Sequence, residues 1–222
     1  MIGVAIPVHN EEQYLRACLA SVRMAASHPA LMAEEVRVVA VLDACTDGSG
    51  RIVRTQQIDM LTVDARNVGL ARAAGAAYLL QAGARWLAFT DADSVVSHSW
   101  LATQLSLGAD AVCGTVAVED WAMHGEGEVQ NLLRRRFRAT YHDRDQHRHI
   151  HGANLGVSAT AYQLAGGFTA LQCGEDVALV HALMASGAQI SWSAAPRVTT
   201  SSRFSSKARG GFGDTLRGLL VT

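Results

Sequence analysis

Four apolar runs of strand length, at 2–8, 36–42, 58–63 and 86–90, alternate along the first half of the chain with segments whose apolar positions recur at helical spacing. That interleaving predicts an α/β protein with a doubly wound, largely parallel sheet. The first helix is expected directly after strand one, with Asn10 as N-cap, Gln13 in the capping-box position and Glu11 and Glu12 at the positive end of the helix dipole. Tyr14, Leu15, Cys18, Leu19 and Val22, three and four apart, form its buried face. A second helix is expected from Val68, with Leu70, Ala73, Ala74, Ala77 and Leu80 as its apolar stripe and Gly75 allowing close approach to the sheet. Beyond Trp100 the pattern predicts a helix near 99–107, a strand near 110–118, an Arg-rich helix near 127–141 and a strand near 150–158. A helix near 175–187 and a strand near 188–193 follow, giving the second half a mixed sheet.

With 222 residues and 49% hydrophobic content, the chain can bury the core of a single domain. No Pro/Ser-rich linker, low-complexity tract or internal repeat divides it, and it has only three prolines. A formal net charge of −1 gives no reason to expect a nucleic-acid partner. Arg134, Arg135, Arg136 and Arg138 nonetheless cluster, as a solvated helix face or as a contact for phosphate on an acceptor or a membrane surface. Cys18, Cys45, Cys113 and Cys173 form no Cys-x-x-Cys pair, which argues against a zinc knuckle or a thioredoxin-like site, and reduced thiols are expected. Met1 leads straight into Ile2-Gly-Val-Ala-Ile-Pro7, so no secretory leader is expected, and no apolar run reaches the roughly 20 residues that span a bilayer. A cytoplasmic protein without a transmembrane segment, making at most peripheral membrane contact, is the expectation.

In open α/β sheets, ligands bind outside the carboxyl ends of the strands. Strand one ends in Pro7-Val-His-Asn-Glu11, strand two in Asp43-Ala-Cys-Thr-Asp47-Gly-Ser49, strand three leads to Arg66-Asn-Val-Gly69, and strand four ends in Asp91-Ala92-Asp93. Two carboxylates about 4 Å apart repel by roughly 4 kcal/mol at an effective dielectric near 20, so Asp91 and Asp93 ask for a proton, an Arg or a divalent cation. Their oxygens suit Mg²⁺ or Mn²⁺. Plainer roles stand beside these: Asp43 and Asp47 as turn residues, Asn67 to Gly69 as a helix start, Arg72 on a solvated face.

Val4-Ala-Ile-Pro-Val-His-Asn-Glu-Glu12, Leu42-Asp-Ala-Cys-Thr-Asp-Gly-Ser49, Arg66-Asn-Val-Gly-Leu-Ala-Arg-Ala73 and Phe89-Thr-Asp-Ala-Asp93 resemble, in order and spacing, the nucleotide-binding half of family 2 glycosyltransferases. Gly152-Ala-Asn154, Gly166-Gly-Phe168 and Gly174-Glu-Asp176 look like that family's acceptor-side motifs. The resemblance implies a single domain of GT-A fold, with a nucleotide-sugar-binding half over 1–97, an acceptor half over 98–198 and a basic, Gly-rich loop over 199–222. It implies transfer of a sugar from a UDP- or GDP-sugar to a saccharide, lipid or small-molecule hydroxyl, with inversion. Pro7, Val8, Asn10 and Glu11 would border base and ribose, and Asp43 would accept from the base. Arg66, Asn67, Gly69 and Arg72 would hold the nucleotide. Asp91 and Ala92 would lie near the ribose, and Asp93, with Asp91, would bind the metal. Asp176 would be the general base, placed at a helix N-terminus whose dipole favours its charge.

His147, His149 and His151 alternate, so on a strand they would share one face, entering the acceptor cleft or binding metal. His151, Asn154, Glu175, Arg203 and Lys207 are candidates for acceptor or diphosphate contact, with Arg209 beside them in the C-terminal segment. Many family members place a His near the end of the last strand as a further metal ligand, and none occurs here after His181. Two alternatives remain. A nucleotidyltransferase usually opens with a Gly-rich phosphate loop, whereas Pro7 to Glu12 lacks glycine and carries two acids. A non-catalytic nucleotide-sugar binding protein would have no use for Asp176.

Overall fold

In the computed structural model, which describes residues 1–118, 121, 127–203 and 218, β1 (Ile2–Val8), β2 (Val36–Asp43), β3 (Asp59–Val63) and β4 (Trp86–Phe89) lie parallel in the order β3-β2-β1-β4. Between them run α1 (Leu15–Ala26), α2 (Ser49–Thr55) and α3 (Val68–Gln81). The second half adds β5 (Ser94–Val96), α4 (Trp100–Ser106), β6 (Ala111–Ala117), α5 (Glu128–Thr140), β7 (Leu155–Ser158), α6 (Ala159–Leu164), α7 (Glu175–Ala185) and β8 (Ile190–Thr200). One mixed sheet of eight strands results, β3-β2-β1-β4-β7-β6-β8-β5, with β7 antiparallel to both its neighbours and β8 parallel to β6. This is the predicted GT-A-like, Rossmann-like α/β architecture.

Alternate strand residues feed two cores, as the pleat requires. Ile2, Val4 and Ile6 of β1 pack with Leu15, Leu19 and Val22 of α1 and with Trp100 of α4 on one face. Ala5, Leu87 and Phe89 pack with Leu79 of α3, Tyr162 of α6 and Leu179 and Leu183 of α7 on the other. The predicted face of α1 is the buried one, and its Leu and Val side chains stabilise by roughly 1.5–3 kcal/mol each on burial. Gly75 serves the close approach expected of it, since a Cβ there would lie 2.9 Å from Ala5 Cβ and 3.1 Å from Val41 Cγ2.

Several local expectations change. α1 begins at Leu15, with Tyr14 as a cap that makes no side-chain bond, so neither Asn10 nor Gln13 caps it. The buried face of α3 is Gly69, Ala71, Arg72, Gly75, Ala76 and Leu79, one position off the predicted stripe, and Leu70 is exposed. Small apolar residues surround this helix, so periodicity alone could not choose its inner face. The 150–158 strand shrinks to β7, which leaves His147, His149 and His151 outside the sheet. β8 runs to Thr200, and β5 and α6 went unpredicted, being too short for a periodic signal.

Candidate functional site

The carboxyl ends of β1, β2 and β4, the start of α3 and the first turn of α7 surround a cleft of about 1070 Å³. Three non-glycine residues at the strand ends take left-handed backbone: Asn10 (φ 54°), Ala44 (φ 49°) and Arg66 (φ 48°). Such conformations cost about 1–3 kcal/mol each and persist only where neighbouring bonds hold them. Here those bonds are present. Asn10 Oδ1 accepts from Thr46 N at 2.7 Å, Ala44 N donates to Val63 O at 2.9 Å, and Arg66 N donates to Asp43 Oδ1 at 2.8 Å. Glu12 Oε2 accepts from Gly48 N at 2.6 Å, so the acid expected to meet the α1 dipole instead ties the first loop to the second.

Asp43, buried at the end of β2, accepts from Ala65 N at 2.7 Å, Arg66 N and, through Oδ2, Asn67 N at 2.7 Å. It organises the loop that forms one wall of the cleft. Asn67 caps α3 by accepting from Leu70 N at 3.0 Å. Gly69 does not line the cleft; a Cβ there would strike Thr169 O, so it serves the docking of α3. Arg66 lines the rim with an exposed side chain, and Pro7, Val8 and Ala92 form apolar wall.

The acids at the end of β4 meet cations from two directions. Asp91 Oδ1 lies 2.5 Å from Arg72 Nη2, and Arg72 also pairs with Glu175. Arg72 is therefore not a solvated residue; it and Glu175, equally buried, pair with each other while both line the cleft. Burial alone would lower the Arg72 guanidinium, but the carboxylates of Asp91, Glu175 and Asp176 more than reverse that, and its pKa rises. Arg203 holds Glu11 in a bidentate fork, 2.6 Å at each oxygen, and reaches Asp93 Oδ2 at 3.0 Å. Asp93 Oδ2 also accepts from Ser201 Oγ at 2.6 Å. Burial pushes the Asp93 carboxyl above its usual range, Arg203 pulls it back, and Asp91 and Glu11 add to the rise.

Four carboxylates, Glu11, Asp91, Asp93 and Glu175, thus face two guanidinium groups, leaving a formal excess of two negative charges at the strand ends. The paired oxygens Asp91 Oδ1 and Asp93 Oδ2 leave one further oxygen on each side chain. Hard oxygen donors and that excess charge fit Mg²⁺ or Mn²⁺ with the rest of the shell supplied by water and phosphate. Among the described residues, no group of three or more His, Cys, Asp or Glu side chains is placed to hold a metal.

Gly174 (φ 73°) opens α7, whose first turn also lines the cleft. Asp176 lies in the first turn, with Oδ2 accepting from Gly152 N at 2.7 Å and Oδ1 from Val177 N at 2.8 Å. Val116 N donates to Tyr141 Oη at 2.7 Å, and Tyr141 Oη lies 2.9 Å from His151 Nε2. Burial pushes His151 down to about 4, and it is neutral at pH 7. Tyr141 stacks on Phe137 at 4.8 Å and on His149 at 4.2 Å, and His149 on His147 at 5.6 Å. The histidines form a stack and not a convergent ligand set; His149 and His151 line the cleft and His147 does not.

Asn154 is no acceptor ligand. Fully buried, it donates to Thr115 O at 2.7 Å and Pro196 O at 2.9 Å and accepts from Trp100 Nε1 at 2.9 Å, which fastens β6 and β8 to α4. Lys207 and Arg209 lie outside the described residues. His9, whose Nδ1 lies 2.6 Å from Asp43 O, lines the cleft together with Phe137 and Tyr141, and none of the three was singled out from sequence. His9 stands inside the Pro7 to Glu12 turn, the one signal that could have drawn attention to it.

The family model described as Glycosyl transferase family 2 matches residues 3–163. No curated protein matches the chain. Among solved structures, S. aureus TarS 1–349 in complex with UDP-GlcNAc is similar, with a TM-score of 0.66, 15% identity, and coverage of 95% of this chain and 61% of that one. The mannosyltransferase PcManGT from Pyrobaculum calidifontis, in complex with GDP-Man and Mn²⁺, gives a TM-score of 0.58 at 20% identity, over 88% of this chain and 57% of that one. The chain spans about three fifths of the length of these structures. At these identities the structures establish a shared fold, while the family match covers well over half the sequence. The chain belongs to glycosyl transferase family 2.

Proposed function

We propose that the protein transfers a glycosyl group from a UDP- or GDP-sugar to an acceptor hydroxyl, with inversion at the anomeric carbon and with Mg²⁺ or Mn²⁺ held by Asp91 and Asp93. The observation that carries this reading is that Asp91, Asp93 and Asp176 line one cleft. TarS with UDP-GlcNAc and PcManGT with GDP-Man and Mn²⁺ support a donor and a metal of these classes.

When bound, the cation would neutralise charge developing on the departing diphosphate. The chain's own residues do the rest. Pro7, Val8, Asn10 and Glu11 border the nucleoside; Asp43, with three of its lone pairs already committed to backbone N–H groups, offers the remaining one to a base N–H. Arg66 at the rim and Arg203 beside Asp93 supply positive charge to the phosphates. Asp176 takes the acceptor proton, a role typically contributing 10²–10⁴-fold, or about 3–5 kcal/mol. Its two backbone N–H bonds aim the carboxylate. Attack from the Asp176 side, opposite the leaving diphosphate, inverts the anomeric carbon.

Calorimetric titration with UDP, GDP and CDP, with and without Mn²⁺, on the parent and on Asp93→Ala tests the donor site. Metal-dependent binding of UDP or GDP, lost in Asp93→Ala, is expected; binding indifferent to both metal and Asp93 refutes the donor assignment. Product NMR showing a retained anomeric configuration refutes the role given to Asp176.

A further inference from the structure

Arg72 is only 3% exposed, and it touches both halves of the cleft: Asp91 from the donor side at 2.5 Å and Glu175 from the acceptor side. Burying such a network is a poor way to gain stability compared with apolar packing. We propose that Arg72 is a positioning residue that fixes Asp176 in register with Asp91, acting through Glu175 and Gly152; the proposal rests on the transferase reading above.

Two tethers connect Arg72 to Asp176. The first is covalent, since Glu175 precedes Asp176 in the first turn of α7. The second runs through Gly152, whose N–H donates to Asp176 Oδ2 and whose Cα lies so close to the guanidinium that an added Cβ would collide with Arg72 Nη1, Cζ and Nη2. The start of α3 is pressed against the same segment: a Cβ on Gly69 would lie 3.0 Å from Leu171 O and 3.2 Å from Glu175 Cβ. The helix that delivers Arg72 thereby braces the helix that carries the base. A base displaced by about 1 Å costs on the order of 10²-fold in rate while leaving the nucleotide subsite untouched.

The test uses Arg72→Lys, Glu175→Gln and the double variant. Lysine keeps the charge but lacks the planar fork that reaches two carboxylates at once. Glutamine keeps an oxygen facing Arg72, so Glu175→Gln carries the test even where Arg72→Lys fails to fold, with thermal midpoints recorded for all. Two quantities are measured: the Kd of UDP and GDP with Mn²⁺, and turnover as nucleotide release from UDP-GlcNAc or GDP-mannose with simple sugars and alcohols as acceptors. Each single variant is expected to keep Kd within about threefold and lose about tenfold or more in kcat, with the double variant no slower than the worse single. Unchanged kcat, losses that multiply in the double variant, or Kd weakened as much as kcat would overturn the positioning role. A parent that binds neither nucleotide, or binds one and never turns it over, overturns the transferase reading and this proposal together.

Discussion

Asp43→Asn is the substitution whose cost follows most directly from the geometry. The carboxylate takes three backbone N–H groups, from Ala65, Arg66 and Asn67, at 2.7 to 2.8 Å in a buried site. Hydrogen bonds to a charged group contribute about 1.5–3 kcal/mol each, and neutral ones about 1. An amide oxygen in place of Oδ1 keeps two bonds without their charge assistance, a loss of roughly 2 kcal/mol. The amide NH₂ in place of Oδ2 then confronts the Asn67 N–H, donor against donor, at a further cost of about 2 kcal/mol. The sum, about 4 kcal/mol, is a large part of a typical stability of 5–15 kcal/mol and corresponds to roughly 8–16 °C in Tm for a chain of this size. Urea unfolding followed by tryptophan fluorescence should show a lowered midpoint at unchanged slope. Nucleotide affinity should fall with it, because the loop that Asp43 holds is a wall of the cleft. A loss of stability below about 1 kcal/mol, with nucleotide affinity nonetheless abolished, would show that Asp43 serves the ligand and not the loop, and would refute the reasoning.

Asn154→Ala removes three buried hydrogen bonds and should destabilise by about 3 kcal/mol in the same assay, while folded variant binds nucleotide normally; impaired binding without destabilisation contradicts the structural role. The Arg85 fork and the N-terminal amine lower Glu34 from 4.5 to about 2. Its stabilisation is therefore complete above pH 4.5 and lost as pH falls towards 2, and solvent screening limits it to about 1 kcal/mol. Glu34→Gln should flatten that part of the stability profile, and an unchanged profile contradicts the assignment. His151, at about 4, should stay neutral in an NMR titration down to pH 5.5; protonation near 6.5 would mean that the imidazole is solvated and not buried.

The strand ends were legible because they are local: an apolar run stopping at a cluster of acids and amides places those groups at the edge of a parallel sheet whatever surrounds them. The same clusters misled where a side chain had more than one use. Asn10 has the composition of a helix cap, yet its carbonyl oxygen is claimed by Thr46 and Asp47, and α1 starts five residues later. Asn154 sits in an acceptor-like motif, yet the space opposite Gly114, where a Cβ would collide with its amide, turns it into a clamp. Histidines in alternation suggested a strand, but strand pairing is decided by the partner, and β7 finds its own only from Leu155 onward.

Sequence alone determined the α/β class, the order of the first four strands' elements and the gathering of Asp43, Asp91 and Asp93 at one sheet edge, since hydrophobic period and motif spacing are properties of short windows. Tertiary structure alone decided which of those groups remain open to a ligand. Arg72 meets Glu175 across 103 positions and Arg203 meets Glu11 across 192. No local pattern encodes such pairings, because they depend on which helix face is turned inward and on how closely two glycines let α3, α7 and the Gly152 turn approach.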